Sequence, residues 1–159
     1  MKKLILSTIA LLSIFMSFSF KSSGNDKMKN KPSSKKILII GINPSLIDFS
    51  SPEYAAFPGL TAEKVEAGIK AQQSRLKELG YEAELCWIDL GQTALTVIAE
   101  KLKKNKFDGV LIGAGIRVTA VNFLLFEKII NNVHENAIQA KIFFNTKPTD
   151  TVESVQRWL

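Results

Sequence analysis

Ile37-Leu38-Ile39-Ile40-Gly41-Ile42 is the stretch that decides the fold, and Asn43-Pro44-Ser45-Leu46 breaks it off. An unbroken run of apolar, mostly β-branched residues suits a central strand of a parallel sheet, covered on both faces. Beyond it the chain alternates helix and strand patterns, the signature of such a sheet. Thr61 caps a first helix, Glu63 and Glu66 favour its positive end, and Gly80 closes it. Ala62, Val65, Ile69, Leu76 and Leu79 share one face, and Gly68 near them lets the helix approach the sheet closely. Ala83–Leu90 is a second strand whose charged start, Glu82 and Glu84, suits a sheet edge.

A second helix turns Leu95, Ile98, Ala99 and Leu102 inward and Lys101, Lys103 and Lys104 outward. Val110–Gly113 is a third strand, fully apolar and therefore central. The third helix, Ala120–Asn136, is apolar over more than one stripe, including Phe123, Leu124, Phe126 and Ile130. Ala140–Phe144 is a fourth strand. Asp150 and Glu153 form an acidic capping box for a last helix carrying Val152, Val155, Trp158 and Leu159. Right-handed crossovers place helices on both faces of a three-layer α/β domain, a doubly wound sheet of about four parallel strands; the order expected is 2-1-3-4, as in flavodoxin-like sheets. Winding reverses between strands 1 and 3, and ligands of such sheets bind beyond the carboxyl ends at that reversal.

Working outward to the amino terminus, residues 1–20 read as a signal peptide or an N-terminal membrane anchor. Lys2 and Lys3 precede the apolar run Leu4–Phe18, and Ser17 and Ser19 suit cleavage. The run is shorter than the ~20 residues that cross a bilayer comfortably. No cysteine follows it, so a lipoprotein attachment is excluded. Residues 21–36 form a disordered basic linker, and residues 37–159 the domain. The expected location is periplasmic or secreted, or else anchored by an uncleaved segment.

Charge is unevenly placed. The net is +6, of which Lys2 and Lys3 carry two. Lys21–Lys36 has six lysines against Asp26, leaving 13 basic and 14 acidic residues from Ile37 on. The domain is nearly neutral, which argues against a nucleic-acid partner. Membrane contact is expected only through the N-terminal segment. Cys86 is the only cysteine, so no internal disulfide forms, and its apolar strand setting predicts a buried, inert thiol. His134 is the only histidine and falls late in its helix, far from the carboxyl edge. One His and one Cys make no metal cluster, and no metal is expected.

The segment Asn43–Leu60 is the most informative feature. Strand-to-helix connections usually run about 2–6 residues. This one is far longer and carries Leu46, Ile47, Phe49, Tyr54, Phe57 and Leu60. It is expected to fold on itself over the carboxyl edge, as a binding wall or as a packing flap. Asn43, Ser45 and Asp48 are its polar groups nearest the strand end. Asp48 is the candidate for a catalytic base or ligand anchor, or it caps its own turn.

Gly113-Ala114-Gly115-Ile116-Arg117 leaves strand 3. Its glycines allow close backbone approach, and Arg117 offers a forked cation for a carboxylate or phosphate. The alternative is a tight turn with a surface arginine. Asn145, Thr146 and Lys147 leave strand 4 at the same edge and extend the candidate site, or serve only the turn at Pro148. Asp89 is expected to cap a helix. The glycine fingerprint of dinucleotide folds is missing after strand 1, so no cofactor is expected.

Ile40-Gly41-Ile42-Asn43-Pro44-Ser45-Leu46 and Leu111-Ile112-Gly113-Ala114-Gly115-Ile116-Arg117 resemble the signature strands of small bacterial flavodoxin-like or Rossmann-like domains without an assigned activity. The resemblance spans Ile37–Leu159 and implies the fold, but no catalytic residue. The reading favoured by the residues is a non-enzymatic domain binding a small anionic ligand at Asn43, Ser45, Asp48, Gly113, Gly115, Arg117, Asn145 and Thr146. The alternative is a small hydrolase or transferase at the same edge. A homodimer through the third and last helices would bury the third helix's excess apolar surface; the alternative is that the last helix alone covers it.

Overall fold

The computed structural model describes residues 34–55 and 57–159. The readings of residues 1–20 and of most of the linker lie outside the described residues. Four strands, β1 (Lys36–Ile42), β2 (Glu82–Ile88), β3 (Gly109–Ile112) and β4 (Lys141–Phe144), form one all-parallel sheet in the order β2-β1-β3-β4. The helices are α1 (Ala62–Glu78), α2 (Ala94–Lys104), α3 (Ala114–Arg117), α4 (Phe123–Asn136) and α5 (Thr151–Gln156). Fold class and strand order are those expected from the sequence. The two fully apolar runs are the central strands, and the glutamate-flanked one is an edge.

Strand side chains alternate between two cores. Leu38, Ile40, Ile42, Cys86, Ile88, Val110 and Ile112 face α2 and α4, where they meet Ile98, Leu102, Leu125, Ile129 and Val133. Ile37, Ile39, Ala83, Leu111 and Phe143 face α1 and α5, where they meet Leu76 and Val155. Each fully buried side chain of this kind contributes about 1.5–3 kcal/mol. The second core is concentrated at the amino half of the sheet. At the carboxyl half of that face β1 offers Gly41, its neighbour on β2 is Trp87, and no side chain fills the gap.

Local signals set the ends of α1. The Thr61 hydroxyl accepts from the Lys64 N–H at 3.3 Å, and Gly80 takes the positive φ of 90° that stops the helix. Asp89 accepts from the N–H groups of Gly91, Thr93 and Ala94 at the start of α2, as expected of a capping acid.

Four expectations are corrected. The third helix begins at Phe123 rather than Ala120, because Ala120–Asn122 forms a tighter turn and Ala114–Arg117 a separate one. Asp150 does not cap the last helix with Glu153. Its carboxylate reaches back to the Thr146 and Lys147 N–H groups, and Pro148–Asp150 is a 3₁₀ turn. Gly68 does not bring α1 onto the sheet. A Cβ there would sit in ordinary contact with Pro148 at 3.7 Å and would meet nothing of the sheet within 4 Å. Finally, α4 and α5 pack on opposite faces of the sheet, so α5 does not cover α4.

Candidate functional site

At the carboxyl edge, on the α1 face, lies a cavity of about 420 Å³. Its floor is the sheet: Ile39, Gly41, Leu85, Trp87 and Leu111. One wall is α1, through Val65, Gly68 and Ile69. The long segment supplies Ile47, Phe49, Tyr54, Phe57 and Leu60, and the β3 exit supplies Gly113–Ile116 and Val118. Residues 145–149 and Thr151 complete it.

Missing side chains create this space. Gly41 leaves the floor bare beside Trp87, where a Cβ would come within 3.1 Å of the ring. A Cβ on Gly115 would meet nothing within 4 Å. Gly113 serves another purpose, since a Cβ there would press at 3.0 Å on the Ile40 carbonyl. It lets the β3 exit pass close to β1, with its N–H donating to that carbonyl at 2.9 Å.

The segment Asn43–Leu60 is ordered by turns, not by a regular element. Pro44–Leu46 and Pro52–Tyr54 are 3₁₀ turns, and the Phe49 and Tyr54 rings pack with centroids 5.2 Å apart. Burial raises the Tyr54 phenol pKa, with Thr119 and the Glu53 charge acting in opposite senses. Tyr54 and Val118 line the same cavity, so the two pieces share one crevice.

Gly113, Gly115, Asn145 and Thr146 line the cavity; Asn43, Ser45, Asp48 and Arg117 do not. Asn43 Oδ1 accepts from the Ser45 N–H at 3.1 Å and its hydroxyl at 2.9 Å, closing a local turn. Asp48 is exposed and accepts from the Ser50 hydroxyl at 2.6 Å and N–H at 2.9 Å. Those bonds hold its carboxyl below the ordinary value. Arg117 Nη2 donates to the Asn145 carbonyl at 2.8 Å, and the guanidinium lies 5.8 Å from the Phe144 ring centre. Phe144 packs with the α2–α4 core, so the guanidinium is directed to the far side of the sheet from the cavity. Asn145 is buried and committed as well. It accepts from the Ala114 N–H at 2.8 Å and donates to Thr151 at 3.1 Å, clamping the cavity's edge.

Sequence reasoning missed Leu85, Trp87, Val65 and Lys64 as lining residues. A readable signal existed for the space itself. Gly41 interrupts an otherwise bulky strand, and Gly68 interrupts the apolar face of the helix that covers it. Among the described residues the cavity wall contains no Asp, Glu, His or Cys. No protein-family model matches the chain, and no curated protein matches it in sequence.

Proposed function

We propose that this domain binds a small molecule, without transforming it, and that the apolar body of the ligand lies between α1 and the sheet. The observation carrying this reading is the cavity at the carboxyl edge. Protein interiors leave few voids larger than a water molecule. Ligand pockets occupy about 300–1,000 Å³ and are mostly apolar with a few fixed polar groups. The volume and wall found here fit that description. So does the position, beside the reversal between β1 and β3 where ligands of such sheets bind. Catalysis has less support, because Asp48 is turned to its own loop and away from the cavity.

The test is native mass spectrometry of the protein purified from its own cells. A bound small molecule released on denaturation is expected. A bare mass, together with no uptake of a hydrophobic fluorescent probe, would overturn the reading.

A second reading rests on exposure at the start of α4. Val121, Phe123 and Leu124 are 74%, 57% and 66% exposed. We propose that this strip is a contact between two copies of the chain, with α5 playing no part. Light scattering that shows a monomer at high concentration would remove it. Export or anchoring through residues 1–20 is proposed from the sequence alone. Mass analysis of the mature amino terminus, with fractionation of the cells, tests it.

A further inference from the structure

Among the described residues, the charged side chains that line the cavity are Lys64 and Lys147, both cationic. They flank one seam. Lys64 stands one helical turn before Gly68, whose missing side chain faces Pro148, and Lys147 immediately precedes that proline. Neither forms an ion pair among the described residues. The Lys64 amine donates to the Gly59 carbonyl at 2.6 Å, which holds it beside the long segment. Two acids close to them in sequence are occupied elsewhere: Glu66 pairs with Lys70 at 2.6 Å, and Asp150 accepts from the Thr146 and Lys147 N–H groups. The seam therefore presents positive charge beside an apolar slot, with no carboxylate in the wall to balance it.

We infer that the occupant is an amphiphile with an anionic head, an alkyl chain lying between α1 and the sheet and a carboxylate at the rim between Lys64 and Lys147. This deepens the binding reading above and rests on it. Neutral hydrocarbon would fill the slot equally well but leave both ammonium groups without an anionic partner. A cationic head would be repelled by both. Exposed ion pairs are weak singly, so each lysine is expected to add roughly two- to fivefold in affinity.

Trp87 lines the cavity and Trp158 is half exposed, so Trp158→Phe leaves one reporter at the site. Decanoate, decanol and decyltrimethylammonium are titrated against this variant, following Trp87 emission. Decanoate is expected to bind roughly four- to twenty-fivefold tighter than decanol, with the ammonium compound weakest. In the Lys64→Gln/Lys147→Gln double variant the decanoate advantage should vanish while decanol binding stays the same. Both substitutions are at exposed positions, so folding is preserved. Decanol binding as tightly as decanoate would overturn the inference and leave the binding reading standing. A decanoate preference that survives the double variant would also overturn it. Silence of Trp87 towards all three compounds would count against the binding reading itself.

Discussion

Gly41 and Trp87 are register partners on adjacent parallel strands, and a Cβ on Gly41 would stand 3.1 Å from the Trp87 ring. That pairing of an absent side chain with the largest one opens the floor of the cavity. Gly41→Val should fill it. The fold survives, because overpacking of this kind costs about 1–3 kcal/mol and the ring has open space to yield into. Uptake of a hydrophobic probe should fall on the order of tenfold, with a shift in Trp87 emission. Unchanged uptake would place the probe elsewhere.

Arg117 separates a structural role from a ligand role. Its guanidinium donates to the Asn145 carbonyl and lies 5.8 Å from the Phe144 ring centre, away from the cavity. Arg117→Ala should lower stability by about 1.5–3 kcal/mol in urea unfolding, the range for a charged hydrogen bond. Ligand affinity, measured where the variant is folded, should stay within about twofold, since no contact with the ligand is removed.

The Cys86 thiol gives an alkaline signature. Burial is the main cause that pushes its pKa from 9.0 up to about 11, with Lys101 and Glu84 acting in opposite senses. The folded state therefore prefers the neutral thiol. That contribution is complete below about pH 9 and is lost as the pH rises through about 11. Cys86→Ala should flatten the loss of stability over that window. A thiol reagent at pH 8 should modify the folded protein only as fast as it opens.

Acid acts on the opposite edge of the sheet. The side chain of Lys35 and then the Lys36 N–H hold the Asp108 carboxyl below its ordinary 3.8, against the small effect of burial. A lowered folded pKa stabilises the fold above the unfolded value and stops doing so as the pH falls through the folded one. Stability should decline below about pH 4, and Asp108→Asn should remove part of that slope. The change at neutral pH should stay within about 1 kcal/mol, since the pair is exposed.

The architecture was legible because its signals are local and repeated. Strands β1 and β3 announce burial on both faces by their uninterrupted apolar runs, and Thr61 and Gly80 bound α1 with familiar end chemistry. The strand order was expected from likeness to flavodoxin-like sheets, with the two fully apolar strands central and the glutamate-flanked one at an edge. The site was harder to read. The position at the carboxyl edge, the long Asn43–Leu60 segment and the glycines of the β3 exit could be read from the chain. The direction of a side chain could not. Arg117 lies in the right segment, but a helical turn at Ala114–Arg117 carries its guanidinium to Phe144 and the other face. Asp48 and Asn43 behave as short polar residues in turns commonly do, bonding two positions ahead. Trp87 was hidden by a different difficulty. Whether a strand residue faces filled core or open space depends on its neighbours in register, here Gly41, and register is not written in either strand alone.

The cavity between α1 and the sheet carries the whole functional account, and heavy-atom diffraction tests it most directly. Crystals soaked with a neutral, brominated medium-chain alcohol should show an anomalous bromine peak among Val65, Ile69, Leu85 and Leu111. A peak only on the Val121–Leu124 strip, or none with the crystals still diffracting, would contradict it.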